Sequence, residues 1–467
     1  MAHPSFRALV AGLCLLTLPS LSHASILDDI PAGTGYTAHD LCTRMDVSED
    51  RYWRVRVDYV APKVQPLPLL WDIDVLSGTL VEVRTYLPFL THRRLAVYRE
   101  GLGCTMARNY DEAADLLSRD FNTVDPQPRQ QMPWPHGEGE ADDSRLSGEQ
   151  ADILQDHTGQ IFSEVSNTRS EKRNAVALAV AMDGQLVFER YADGYHRDQP
   201  QLGWSMTKSL TALLVGMMVT EGRFSLDQPV GLEQWHGSEK AGITWKELLN
   251  MAPGLAWFEG YGGLSDATEM LFSQKDQGSW AASLPLESEP GTVFNYSTGT
   301  PNIAMLAMRE KLGSAQAIYD YYQSKLFDPL GIRNGIIEPD FTGTPVGGAR
   351  GILRPVDWLR LGQLVANHGS WEGQQLIAQP AMDFLLAPSP AAEHYGGFIW
   401  RGAPDEVPED LRKRLPDDLV WFAGHMGQYT IVVPSENLVV LRMGVAFDEE
   451  GARNQAFALT ADLIEAN

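Results

Sequence analysis

Leu202-Gly203-Trp204-Ser205-Met206-Thr207-Lys208-Ser209-Leu210 leads straight into the apolar run Leu213-Leu214-Val215-Gly216-Met217-Met218-Val219. On a helix, Ser205 and Lys208 lie on one face, one turn apart. An amine at that distance can take the proton of a hydroxyl. A serine nucleophile needs this, because a free alcohol is a poor nucleophile at neutral pH. The pair reads as the centre of an acyl-transfer site that needs no catalytic histidine. Taken alone, it also fits a capped helix start followed by a surface lysine, and roughly one Ser-x-x-Lys match arises by chance in a chain of this size.

Two further stretches bear on the choice. Pro290-Gly291-Thr292-Val293-Phe294-Asn295-Tyr296-Ser297-Thr298-Gly299 places Tyr296 on a loop between glycines. A tyrosine there can relay protons if a nearby ammonium lowers its pKa; it can equally pack its ring and bond its hydroxyl. Phe422-Ala423-Gly424-His425-Met426-Gly427-Gln428-Tyr429 enters a strand. Glycines flanking a polar residue there let a substrate lie along the strand edge, with a main-chain N–H aimed at a developing oxyanion. The same pattern also describes a tight turn into an edge strand.

In this order the three stretches resemble the penicillin-recognising serine hydrolases. That group includes class C β-lactamases, D-Ala-D-Ala carboxypeptidases, related esterases and 6-aminohexanoate oligomer amidases. It carries Ser-x-x-Lys, then Tyr-x-Asn or Tyr-Ser-x, then Lys/His-x-Gly; here these are Ser205-Met206-Thr207-Lys208, Tyr296-Ser297-Thr298 and His425-Met426-Gly427. The resemblance covers roughly residues 150–467 and extends to Ile243–Leu255, Pro290-Gly291-Thr292, and Gly348-Ala349-Arg350-Gly351 ahead of Asp357–Gly362. It implies an acylated nucleophile at Ser205, activated by Lys208. Tyr296 would shuttle the proton to the leaving group and later deprotonate water. The backbone N–H groups of Ser205 and Gln428 would form the oxyanion hole. His425, Gly427, Thr298 and Tyr261 would contact substrate, Tyr261 from the glycine-hinged loop Trp257–Gly263; an aromatic-anchored surface loop is the other reading of that segment.

The pattern departs from a β-lactam specialist at two positions. Thr298 and His425 stand where such enzymes carry Asn and Lys, which bind the acylamide chain and favour the carboxylate. The leading expectation is therefore a hydrolase of a carboxylic ester or linear amide, near the esterase and 6-aminohexanoate amidase branch. A D-Ala-D-Ala carboxypeptidase or weak β-lactamase, and a non-catalytic binding module on the same fold, are the alternatives.

The rest of the chain bounds this reading. With 37 Lys+Arg against 61 Asp+Glu, the 467 residues carry −24, which argues against nucleic-acid partners because phosphates would be repelled. Arg7, the apolar run Ala8–Leu16 and Ser22-His23-Ala24 resemble a secretory leader cleaved after Ala24, with a buried N-terminal helix as the alternative. No stretch approaches the ~20 apolar residues of a membrane span. An exported, periplasmic or secreted chain would pair Cys42 with Cys104, although two buried free thiols fit the count as well. No Cys-x-x-Cys or His-Glu-x-x-His is present, so no metal or other cofactor is implied. A small-molecule substrate is the implied partner, and nothing specifies an oligomeric state.

The expected organisation is a leader (1–24), a small β-containing N-terminal domain (25–121), a Pro/Gly/acid-rich linker with little to bury (122–148) and the hydrolase domain (149–467). Within the first domain, strands are predicted over Trp53–Val60, Leu80–Tyr86 and Arg94–Tyr98. In the last, Leu154, Thr158, Ile161 and Val165 are spaced for a helix face. Val176–Met182, Asp183-Gly184 and Gln185–Tyr191 read as a hairpin. Strands return at Tyr429–Pro434 and Leu438–Met443, and Gln455–Ile464 reads as a closing helix. The fold class is α+β: an antiparallel sheet sewn from both ends, flanked by helices, with a helical subdomain beside it.

Overall fold

The centre of the fold is a six-stranded, wholly antiparallel sheet in the order Trp400–Arg401, Val420–Gly424, Gln428–Val433, Leu438–Gly444, Ala175–Met182, Gln185–Tyr191. It is seen in a computed structural model that describes residues 27–76, 78–85, 91–124, 132–164, 166 and 168–467. The expected leader, Tyr86, Val165 and residues 125–131 lie outside the described residues. Strands from the two ends of the hydrolase region meet at Leu438–Gly444 and Ala175–Met182, as the sequence predicts. The predicted hairpin turn has Asp183 at φ 48° and Gly184 at φ 72°, the left-handed pair that matches strand twist.

Alternation along each strand sends side chains into two cores. Ala177, Ala179, Val432, Val439 and Leu441 face the main core with helix Met206–Thr220. Leu178, Val180, Ile431, Val433 and Val440 face a second core built with helices Gly148–Ile161 and Glu449–Glu465. On the first face, helix Pro355–Ala366 crosses the sheet at Gly362, where a Cβ would come within 2.6 Å of Val439 Cγ1.

The N-terminal region opens with helix Ile30–Cys42, buried along nearly all its length, and continues to a four-stranded meander over Trp71–Ala107. Cys42 and Cys104 are disulfide-bonded. Closing a loop of 62 residues restricts the unfolded chain by about 4 kcal/mol in the chain-entropy account. One expectation is corrected here. Trp53–Val60 is not a strand but a run of helical turns, Tyr52–Arg54 and Val55–Val60. Val55 and Tyr59 are buried four apart while Trp53 is exposed, so the burial follows the helical period and not the alternation that the valines imitate.

This region is docked on the hydrolase region through a buried carboxylate. Glu338 accepts from His39 Nε2 at 2.7 Å, Thr43 Oγ1 at 2.8 Å and the Cys104 N–H at 2.7 Å. Burial lowers the His39 pKa, so a neutral ring donates to the acid. The stretch after residue 131 is also attached, although it was expected to bury little. Trp134 is fully buried, Arg360 donates to the Pro135 carbonyl, and Arg354 pairs with Glu138 at 2.8 Å. Among the described residues no helix is long and apolar enough to cross a membrane.

Candidate active site

Ser205 begins helix Met206–Thr220, whose residues Met206–Met218 are buried on every side, as expected of an all-round apolar helix. The turn before it is tightly built. Trp204 has φ 48°. A Cβ on Gly203 would lie 2.1 Å from the Trp358 ring, and one on Gly424 would lie 2.1 Å from the Gly203 carbonyl. Only glycine at both positions lets the strand approach the serine this closely. The Ser205 hydroxyl makes no capping bond, and Lys208 is 1% exposed, so the plain capped helix with a surface lysine is not what forms.

Lys208 Nζ is 2.8 Å from Ser205 Oγ, 2.9 Å from Thr298 Oγ1 and 2.8 Å from the Gly348 carbonyl oxygen. It also lies 4.8 Å from the centre of the Tyr296 ring. Burial lowers its pKa to about 8, with Glu259 pulling the other way. The Tyr296 ring packs between Trp400 and Tyr395, and Ser205 and Trp400 act to lower its pKa. The net shift is nevertheless upward, first by burial and then by Glu259. The condition that a nearby ammonium lowers it is not met: the neighbouring amine is itself pushed toward neutrality, and Tyr296 is a neutral phenol.

Glu259 is the residue that sequence reasoning missed, although its loop was quoted. Its Oε1 takes the Thr298 hydroxyl and the Tyr261 hydroxyl, both at 2.5 Å. Its Oε2 takes Trp257 Nε1 at 2.6 Å and the Thr298 N–H at 2.8 Å. Thr298, expected to face substrate, is wholly buried behind Lys208. Tyr261 is partly exposed, bonds Glu259 and Thr298, and stacks on His425 with ring centres 5.1 Å apart.

His425, Met426 and Gly427 turn from strand Val420–Gly424 into Gln428–Val433, with Met426 and Gly427 at φ 62° and 82°. His425 Nδ1 is 3.0 Å from Glu449 Oε1. The Gly427 carbonyl accepts from buried Arg442 at 2.6 Å, and the Gln428 side chain bonds the carbonyls of His425 and Met426 at 3.2 and 3.1 Å. The three motifs thus share one locality around Ser205. Gly348 also belongs to it; the only sequence signal was its place in Gly348-Ala349-Arg350-Gly351.

Known proteins share this fold. The sequence profile of the β-lactamase family matches residues 160–463. No curated protein matches the chain. Among solved structures, a proposed 6-aminohexanoate-dimer hydrolase from Bacillus anthracis superposes with TM-score 0.53 at 18% identity, over 68% of this chain and 82% of that one. EstCE1, a hydrolase with promiscuous acyltransferase activity, gives 0.51 at 19% over 68% and 98%. A penicillin-binding protein homologue from Caulobacter crescentus gives 0.51 at 16% over 68% and 98%. These likenesses are of fold. The profile match spans more than half of the chain, and the chain belongs to the β-lactamase family.

Proposed function

We propose that the chain is a serine hydrolase that cleaves a carboxylic ester or a linear amide through an acyl-enzyme on Ser205. The observation that carries this is the buried Lys208 amine, its pKa brought to about 8, held 2.8 Å from Ser205 Oγ. The direction of proton flow follows from its partners. The Gly348 carbonyl can only accept. The Thr298 hydroxyl proton is committed to Glu259. When Lys208 is neutral, its two N–H bonds satisfy these acceptors, and its lone pair is left for the Ser205 O–H.

In this reading Oγ attacks the carbonyl carbon as its proton passes to Nζ. The N–H groups of Ser205 and Gln428 receive the oxyanion, a role in which one donor is worth about 10²–10³ in rate. The C–O or C–N bond then breaks, and the leaving group takes a proton from the Tyr296 phenol, which the Lys208 proton replaces. Water repeats the sequence in reverse, losing a proton to the same pair and releasing Ser205. Thr298 serves Lys208 from behind and offers no amide to an acylamide side chain, while His425 is held by Glu449. Both favour esters and linear amides over β-lactams. The Cys42–Cys104 bridge favours an oxidising compartment, so we place the chain in the periplasm or outside the cell.

The test is a panel of 4-nitrophenyl butyrate, a nitroanilide and nitrocefin against wild type and Ser205→Ala. The ester and anilide are expected to be hydrolysed faster than nitrocefin, with all turnover lost in the variant. Nitrocefin as the best substrate would favour the β-lactamase alternative, and full activity in Ser205→Ala would sink the proposal.

Glu259 supplies a second check. Its carboxylate raises the Lys208 pKa, so Glu259→Gln is expected to move the rising limb of the kcat/KM pH profile below pH 8 by roughly one unit. All four of its partners donate, so a glutamine NH₂ would face donors at a cost of about 1–3 kcal/mol in stability. A limb that stays put would show that Glu259 is only a structural acceptor.

A further inference from the structure

We propose that the N-terminal region forms one wall of the substrate cleft and that Lys63 there binds a carboxylate on the ester or amide substrate; this rests on the serine-hydrolase reading of Ser205. The family match begins at residue 160, and the N-terminal region lies before it. Yet helix Ile30–Cys42 reaches the nucleophile. The Tyr36 ring stacks on Trp204, the residue before Ser205, with centres 6.0 Å apart and planes 6° from parallel. Its hydroxyl lies 3.7 Å from the sulfur of Met426, the residue after His425. Just before this helix, Asp29 accepts from the Leu264 N–H at 2.8 Å, which pins the end of the loop that carries Glu259 and Tyr261.

Between these contacts lies a small cleft of about 70 Å³ lined by Ala32, Tyr36, Lys63, Leu67, Tyr261 and Phe272, among others. Tyr261 joins it to the site, lining the cleft while stacking on His425 and bonding Thr298. The walls are largely aromatic and aliphatic, which suits a hydrocarbon spacer.

Asp29 and Lys63 are the charged groups among the lining residues. Lys63 is only partly exposed and has no hydrogen bond or ion pair among the described residues. A half-buried ammonium with no hydrogen-bonded acid, and only Glu449 as an electrostatic neighbour, is unfavourable in a largely apolar wall unless a ligand pairs with it. The acids around it are already engaged: Asp29 with the Leu264 N–H, and Glu449, its electrostatic neighbour, with His425. A substrate carboxylate some methylenes from the scissile carbonyl would place its charge at Lys63 and its spacer along Tyr36 and Tyr261.

The test compares mono-4-nitrophenyl glutarate with 4-nitrophenyl butyrate, on wild type, Lys63→Met and Lys63→Arg. Lys63→Met is expected to raise KM for the glutarate roughly tenfold, the worth of one charge-assisted bond. KM for the butyrate should stay within about twofold, and Lys63→Arg should retain most of the preference. Equal changes for both esters, or none for either, would overturn the inference, as would a wild type that cleaves butyrate but not glutarate. A wild type that cleaves neither, and whose Ser205 resists fluorophosphonate, would remove the serine-hydrolase reading itself and the inference with it.

Discussion

Lys208→Met is expected to lower kcat/KM for 4-nitrophenyl butyrate by about 10⁴, the upper end of what a positioned base contributes, while leaving the protein folded. Among the described residues, the buried amine is the only group beside Ser205 Oγ with both a lone pair and a pKa near 8. Its second signature is in stability. In the unfolded chain the lysine holds its proton up to about 10.5, whereas in the folded state it loses it near 8. Below pH 8 both states are protonated and the folded state carries the full penalty of a buried charge. Between 8 and 10.5 the unfolded state binds more protons, so wild-type stability rises with pH. The shift corresponds to about 3 kcal/mol. Denaturant unfolding at pH 7 and pH 10 should show any advantage of Lys208→Met over wild type shrinking by about 2–3 kcal/mol at the higher pH. An unchanged difference would mean that Lys208 is not charged and buried as described.

Tyr296→Phe is expected to cost about 10²–10³ in kcat with little change in KM. The ring would keep its packing against Trp400 and Tyr395, so the loss isolates the hydroxyl. Because Tyr296 is a neutral phenol in the resting site, its part is to pass a proton and not to act as a standing base. The rise of kcat/KM through pH 8 should therefore persist in the variant, since that limb belongs to Lys208. Activity within threefold of wild type would remove Tyr296 from the relay. Loss of the pH 8 limb would exchange the roles of the two residues.

The hydrolase fold was legible because its signals are local. The Asp183-Gly184 turn, the apolar strands and the Ser205 helix each declare themselves within a dozen residues. Trp53–Val60 misled because valines at every second position imitate a strand; which residues are buried depends on packing against the rest of the chain. The site was legible as motifs but not as a network. Glu259 acts through Thr298, 39 residues away, and nothing at position 259 announces a partner. The direction of the Tyr296 pKa shift was not legible because it depends on burial and on that same carboxylate. The docking of the N-terminal region was hidden for a related reason: His39 meets Glu338 across 299 residues, and Tyr36 meets Met426 across 390.

The most direct measurement is covalent labelling of the intact protein with a fluorophosphonate, followed by peptide mapping, on wild type and Ser205→Ala. One equivalent of label on the peptide containing Ser205, absent from the variant, is the expected result. Label on another residue, or none on a folded wild type, would contradict the assignment of Ser205 as the nucleophile.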